Sequence, residues 1–66
     1  MPLTINGEER EYPADVTLPQ IIAAHGMNPR YVAVEINLRV VPRAEHATCQ
    51  LQPGDRIELV TLVGGG

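Results

Sequence analysis

The sequence predicts a single α+β domain in which a mixed sheet of four to five strands packs on one main helix. Short apolar alternations typical of strands lie on both sides of one segment with helical spacing. The chain has 7 Val, 5 Ile and 6 Leu but no Phe or Trp, and such β-branched content favours sheet. With 66 residues, it allows one small core and no deep catalytic cleft.

The N-terminal segment predicts a hairpin. Residues 3–5 alternate apolar and polar side chains, and Asn6-Gly7 follows as a strong two-residue turn signal. Residues 10–12 can then return antiparallel. Pro13 ends this strand because proline cannot donate a hydrogen bond to a neighbouring strand.

The helix is predicted to begin after Thr17, which can cap the first turn while Gln20 reaches back to form a capping box. Its stop signal is His25-Gly26, since glycine is favoured just beyond a helix end. One apolar stripe at helical spacing faces the core: Leu18, Ile21 and Ile22.

A second hairpin is predicted from residues 31–36, through an Asn37-Leu38 turn, to residues 39–41. Period-two alternation puts Val32, Val34 and Ile36 on one face of its first strand. Ala33 and Glu35 lie on the other face.

The remaining residues predict a crossing and a last strand. Residues 42–49 have weak periodicity, which predicts an irregular or short helical connection across the domain. A turn is predicted at residues 53–55. In the last strand, residues 56–62, Ile57 and Leu59 point inward. Glu58, Val60 and Leu62 point outward.

Composition excludes several function classes. The net charge is −3 and all five basic residues are arginine, so there is no clustered basic surface for nucleic acid. No apolar stretch reaches the length of a membrane span. The lone Cys49 cannot form an internal disulfide, and with no apolar leader this predicts a reducing, cytoplasmic location. His46 and Cys49 alone form half of a metal site, so no metal is expected.

Three sequence stretches carry a family resemblance. Residues 34–43 contain V-x-x-N followed by V-P-R, residues 51–59 read L-x-x-G-D-x-I-x-L, and residues 62–66 end in Gly-Gly. In this order they resemble the ThiS family of sulfur carriers, which have the ubiquitin-like β-grasp fold. The resemblance covers the whole chain and implies a β-grasp domain at residues 1–62 with an extended glycine-rich tail at residues 63–66.

The resemblance also implies a chemistry for the tail. A ThiF-like adenylyltransferase would use ATP to adenylate the Gly66 carboxylate, and a sulfur source would convert it to a thiocarboxylate. A ThiG-like thiazole synthase would then take the sulfur for the thiazole of thiamine. The chain itself would bind no cofactor and would be a carrier, monomeric when free, and not an enzyme. Gly64 and Gly65 suit a narrow partner channel because glycine has no Cβ.

Further expectations concern the partner interface and the alternatives. Val60, Leu62, Ala33 and Glu35 are the predicted interface, because outward apolar side chains with a charged edge beside the tail suit a transient contact. The alternatives are a MoaD-type carrier for molybdopterin or another pathway, a ubiquitin-like protein modifier, and a passive binding module with an inert tail. The role of Cys49 stays open beyond that of a partly buried small side chain.

Overall fold

The computed structural model describes residues 1–62 as a five-stranded mixed sheet with one α-helix on one face. The strands are β1 (Pro2–Ile5), β2 (Glu8–Glu11), β3 (Val32–Ile36), β4 (Arg39–Val41) and β5 (Arg56–Thr61), and the helix is α1 (Leu18–Ala24). Short 3₁₀ helices span Pro29–Tyr31 and Arg43–Glu45. This order of elements confirms the predicted α+β architecture.

The strand order in the sheet is β2-β1-β5-β3-β4, so the last strand of the chain lies at the centre. It runs parallel to β1 and antiparallel to β3. The two hairpins form the flanks, β1 with β2 and β3 with β4, both antiparallel. A parallel pair needs a crossover connection, and α1 lies in the segment that provides it.

The predicted capping box starts α1. The Gln20 amide donates to Thr17 Oγ1 at 3.3 Å, and the Thr17 amide donates to Gln20 Oε1 at 3.0 Å. Together these bonds satisfy two amides that lack partners within the helix. The helix ends as predicted, with His25 as C-cap and Gly26 at φ +68°.

The core lies between α1 and the inner face of the sheet. Alternate residues of three strands point into it, together with the predicted helix stripe. Its buried members are Leu3, Ile5, Leu18, Ile21, Ile22, Val32, Val34, Ile57 and Leu59.

Both hairpins use two-residue turns with positive φ, as the primed turns between twisted strands require. The first turn has Asn6 at +49° and Gly7 at +84°; the second has Asn37 at +51° and Leu38 at +68°. Asparagine tolerates this region, whereas leucine is strained there.

Several predicted strand boundaries differ from the structure, and β1 already begins at Pro2 instead of residue 3. The return strand of the first hairpin is Glu8–Glu11 instead of 10–12, because the tight turn pairs Ile5 directly with Glu8. Tyr31 belongs to the 3₁₀ helix that Asn28 caps, and β3 starts one residue later. The last strand ends at Thr61, although the Leu62 amide still donates to the Tyr31 carbonyl at 2.6 Å.

Candidate functional site

The candidate site is the outer face of the sheet, the face opposite α1. Its central residues come from β3 and β5, where Ala33 lies directly opposite Val60 and Glu35 directly opposite Glu58. The structure therefore brings the predicted interface residues of the two strands side by side. Their role as a partner interface stays a prediction.

The apolar part of this face lies where the chain leaves β5. Val60 is 56% exposed and Leu62 is 51% exposed, which is high for aliphatic side chains of a sheet. The hydrogen bond from the Leu62 amide to Tyr31 holds the last described residue against the start of β3. Gly64, Gly65 and Gly66, the predicted sulfur-bearing tail, lie outside the described residues.

The charged part of the outer face lies further along β5. Glu35 and Glu58 are register partners, and like charges directly opposite each other destabilise a sheet. Within residues 1–62, the ion pairs are Arg10 with Glu8 and the Met1 ammonium with Glu11. In that part of the chain, neither Glu35 nor Glu58 has a cation within 4 Å.

A polar network fixes the start of β5. Asn37 Nδ2 donates to Asp55 Oδ1 at 2.9 Å, while the Arg56 amide donates to Asn37 Oδ1 at 3.0 Å. Asp55 is buried, and its second oxygen accepts from the Gln52 amide at 2.8 Å. The Asn of V-x-x-N and the Asp of G-D thus join the second hairpin to the strand that leads to the tail.

Sequence reasoning missed a second polar link to β5. The Leu59 amide donates to Asn6 Oδ1 at 2.7 Å, across 53 positions of the chain. The left-handed backbone at Asn6 directs its short side chain toward β5. The asparagine preference of the turn was the available signal, but no sequence pattern indicated a partner so far away.

A groove of about 460 Å³ lies beside β4, and its polar lining includes the Glu45 and Asp55 carboxylates. Cys49 lines this groove and is half-buried against the core. Burial raises the pKa of its thiol, and the nearby Asp55 and Glu45 carboxylates raise that pKa further, so the nucleophilic thiolate is disfavoured. The neighbouring His46 is buried, with Nε2 at 3.0 Å from the Val41 carbonyl oxygen.

Within residues 1–62, no group of three or more His, Cys, Asp or Glu side chains is arranged to hold a metal ion. In the same part of the chain, no helix is long and apolar enough to cross a membrane.

Comparison with known proteins decides the family. The ThiS family model matches residues 3–66, nearly the whole chain. The chain belongs to the ThiS family. Among solved structures, the crystal structure of the thiamine biosynthesis protein ThiS from Geobacter metallireducens superposes with a TM-score of 0.81 at 28% identity, and each chain covers 100% of the other. The predicted membership of the ThiS family and the predicted ubiquitin-like β-grasp fold are therefore confirmed.

The relatives of this ThiS-family chain add a second observation. It is 42% identical over 66 residues to a thiazole synthase of Paramagnetospirillum magneticum, and 39% identical over 66 residues to one of Magnetococcus marinus. In both comparisons the whole chain is matched, but it spans only 20% of the relative's length. A ThiS-like segment is therefore part of each of these longer proteins.

Proposed function

We propose that this chain is a sulfur carrier for thiamine biosynthesis whose Gly66 carboxylate becomes a thiocarboxylate and donates its sulfur to the thiazole. The observation that carries the proposal is the match of the ThiS family model, which continues through residue 66. The related thiazole synthases support the thiazole as the destination of the sulfur.

The chemistry requires activation by a partner. An α-carboxyl has a pKa of about 3.3–3.7, so Gly66 carries a carboxylate at neutral pH, which is a poor electrophile. A ThiF-like adenylyltransferase joins this carboxylate to the AMP part of ATP and releases pyrophosphate. A sulfide equivalent then attacks the acyl carbon and displaces AMP, which leaves the thiocarboxylate.

The proposal assigns separate tasks to the two parts of the chain. Residues 1–62 serve as a rigid body that partners recognise, and residues 63–66 serve as the reactive tail. Fully extended, four residues span roughly 13 Å, enough to enter a partner's pocket while the body stays outside. Burial and the nearby Asp55 and Glu45 carboxylates raise the pKa of the Cys49 thiol and disfavour its thiolate, which supports the tail carboxylate as the sulfur-bearing group.

The outer face is the proposed recognition surface. Val60 and Leu62 form its apolar centre next to the tail, and Ala33 and Glu35 form its flank. An apolar centre with a polar edge is the anatomy of a transient protein interface. Binding there would keep residues 63–66 directed at the partner's catalytic pocket.

Intact-protein mass spectrometry tests the proposal. The chain is incubated with a ThiF-like enzyme, ATP and a sulfur source, and we expect a mass gain equal to the replacement of one oxygen by one sulfur. A chain extended by one alanine after Gly66 is the control and should remain unmodified, because its carboxylate is displaced from the activating site. An unmodified parent chain under conditions in which the enzyme activates its own known carrier would refute the proposal.

A further inference from the structure

The tip of the second hairpin carries a leucine in an unfavourable setting. Leu38 is 90% exposed, so its side chain gains almost nothing from the hydrophobic effect. Its φ is +68°, a region where a residue other than glycine or asparagine is uncommon. Asparagine followed by glycine is the preferred pair for this turn, so glycine at position 38 would give the free chain a less strained backbone.

Leu38 belongs to the outer face. It borders a shallow groove of about 450 Å³ together with Glu35, Arg56 and Glu58. Val40, the next outward residue on β4, lies opposite Glu35 and is 74% exposed. Exposed apolar side chains therefore run along the edge strand β4, from the level of Glu35 to the hairpin tip at the end of the sheet away from Leu62.

One partner can cover both ends of this face. The six steps from Leu62 back to Arg56, beside the hairpin, span roughly 20 Å at about 3.3 Å per residue. A standard interface buries about 800 Å² per partner, a patch roughly 30 Å across. The hairpin tip thus falls within the footprint of a protein that also receives the tail.

We propose that Leu38 is an anchor that inserts into an apolar pocket on thiazole synthase, and that basic side chains at the rim of this pocket face Glu35 and Glu58. The inference rests on the proposed function and names a contact of the same interface. Thiazole synthase is the partner that the relatives indicate, because two related thiazole synthases contain a segment matched by the whole of this chain. Basic side chains at the rim of the pocket would complement the charges of Glu35 and Glu58. Among residues 1–62, these two opposed carboxylates have no cation within 4 Å.

The decisive experiment measures binding of the full chain to the thiazole synthase encoded in the same genome, by calorimetry, for the parent, L38M and L38G. We expect L38G to weaken binding by about tenfold or more, as loss of an interface anchor does. L38M keeps an apolar side chain and should bind within about threefold of the parent. L38G should melt no lower than the parent, because glycine relieves the strained φ.

If L38G and the parent bound thiazole synthase with equal affinity, the proposal that Leu38 is an anchor would be refuted. The rim is tested with the E35Q/E58Q double variant, which should lose most of the salt dependence of binding that the parent shows. An unchanged salt dependence would overturn the basic rim. A parent that gains sulfur but does not bind thiazole synthase would overturn this inference alone, whereas a parent that gains no sulfur would refute the proposed function.

Discussion

Asn37 Nδ2 donates a hydrogen bond of 2.9 Å to Asp55 Oδ1, joining residues 18 positions apart at the start of the strand that leads to the tail. Asn37 also accepts from the Arg56 amide, and its own amide donates to the Arg56 carbonyl at 2.8 Å. One turn residue thus fixes both the buried carboxylate and the first residue of β5.

This relationship predicts that N37G destabilises the domain. Glycine keeps the φ of +51° that the turn needs but removes the partner of Asp55 Oδ1 and of the Arg56 amide, at a cost of about 1–3 kcal/mol. N37A should cost about 1 kcal/mol more, because alanine is also strained at positive φ. Urea unfolding measures both, and an N37G variant as stable as the parent would contradict the proposed role of the network.

The capping box predicts a smaller loss. T17A removes the oxygen that accepts from the Gln20 amide and should lower the free energy of unfolding by about 1 kcal/mol. T17S is the matched control, since serine keeps the hydroxyl, and it should unfold near the parent midpoint. If T17A and T17S shared one midpoint, the cap would contribute nothing to stability.

The proposed interface predicts that V60D impairs sulfur loading without unfolding the domain. A carboxylate in the apolar centre of a contact is desolvated without a partner, so kcat/KM for thiocarboxylate formation should fall by about tenfold or more. The control is A47D, which adds the same charge at an exposed position in the loop after the second 3₁₀ helix. Similar kcat/KM values for V60D and A47D would rule out Val60 as a contact.

The raised pKa of the Cys49 thiol predicts slow alkylation of the folded chain. Its pKa lies above the ordinary value because of burial and the nearby Asp55 and Glu45 carboxylates. At pH 8 the folded chain therefore holds less thiolate than the unfolded chain, and iodoacetamide should react more slowly with the folded form. The rate should rise with pH through this raised pKa. The same chain in urea serves as control, and faster alkylation of the folded form would contradict the assignment.

The C49A variant tests whether Cys49 takes part in the formation of the thiocarboxylate. Because the sulfur is proposed to reside on Gly66, C49A should gain sulfur at the parent rate. Loss of loading in a C49A chain that still unfolds cooperatively would assign the chemistry to the thiol.

Local signals predicted much of the fold. The Thr17–Gln20 box, the Asn6-Gly7 turn and the Leu18 stripe act within a few residues, where spacing alone determines which groups meet. The start of β2 was missed because Glu8–Glu11 has no apolar alternation; its pairing with β1 defines it.

Contacts between distant residues were harder to predict. Nothing around Asn6 indicates that its side chain accepts from Leu59, and nothing around His46 indicates burial against Val41. For the candidate site, alternation placed Val60 and Glu35 on outward positions. The strain at Leu38 became apparent only from the backbone angles, because a turn signal does not specify the sign of φ at its second residue.

The central place of β5 also has a mechanical consequence. A partner that draws residues beyond 62 into its pocket pulls along a strand bonded on both sides, to β1 and to β3. Such a load is carried by the row of bonds with β3 along residues 57–61 and, at the start of the strand, by the bonds of Arg56 and Ile57 with β1. In the proposed carrier role, these bonds would resist unravelling of the domain from the end that a partner grips.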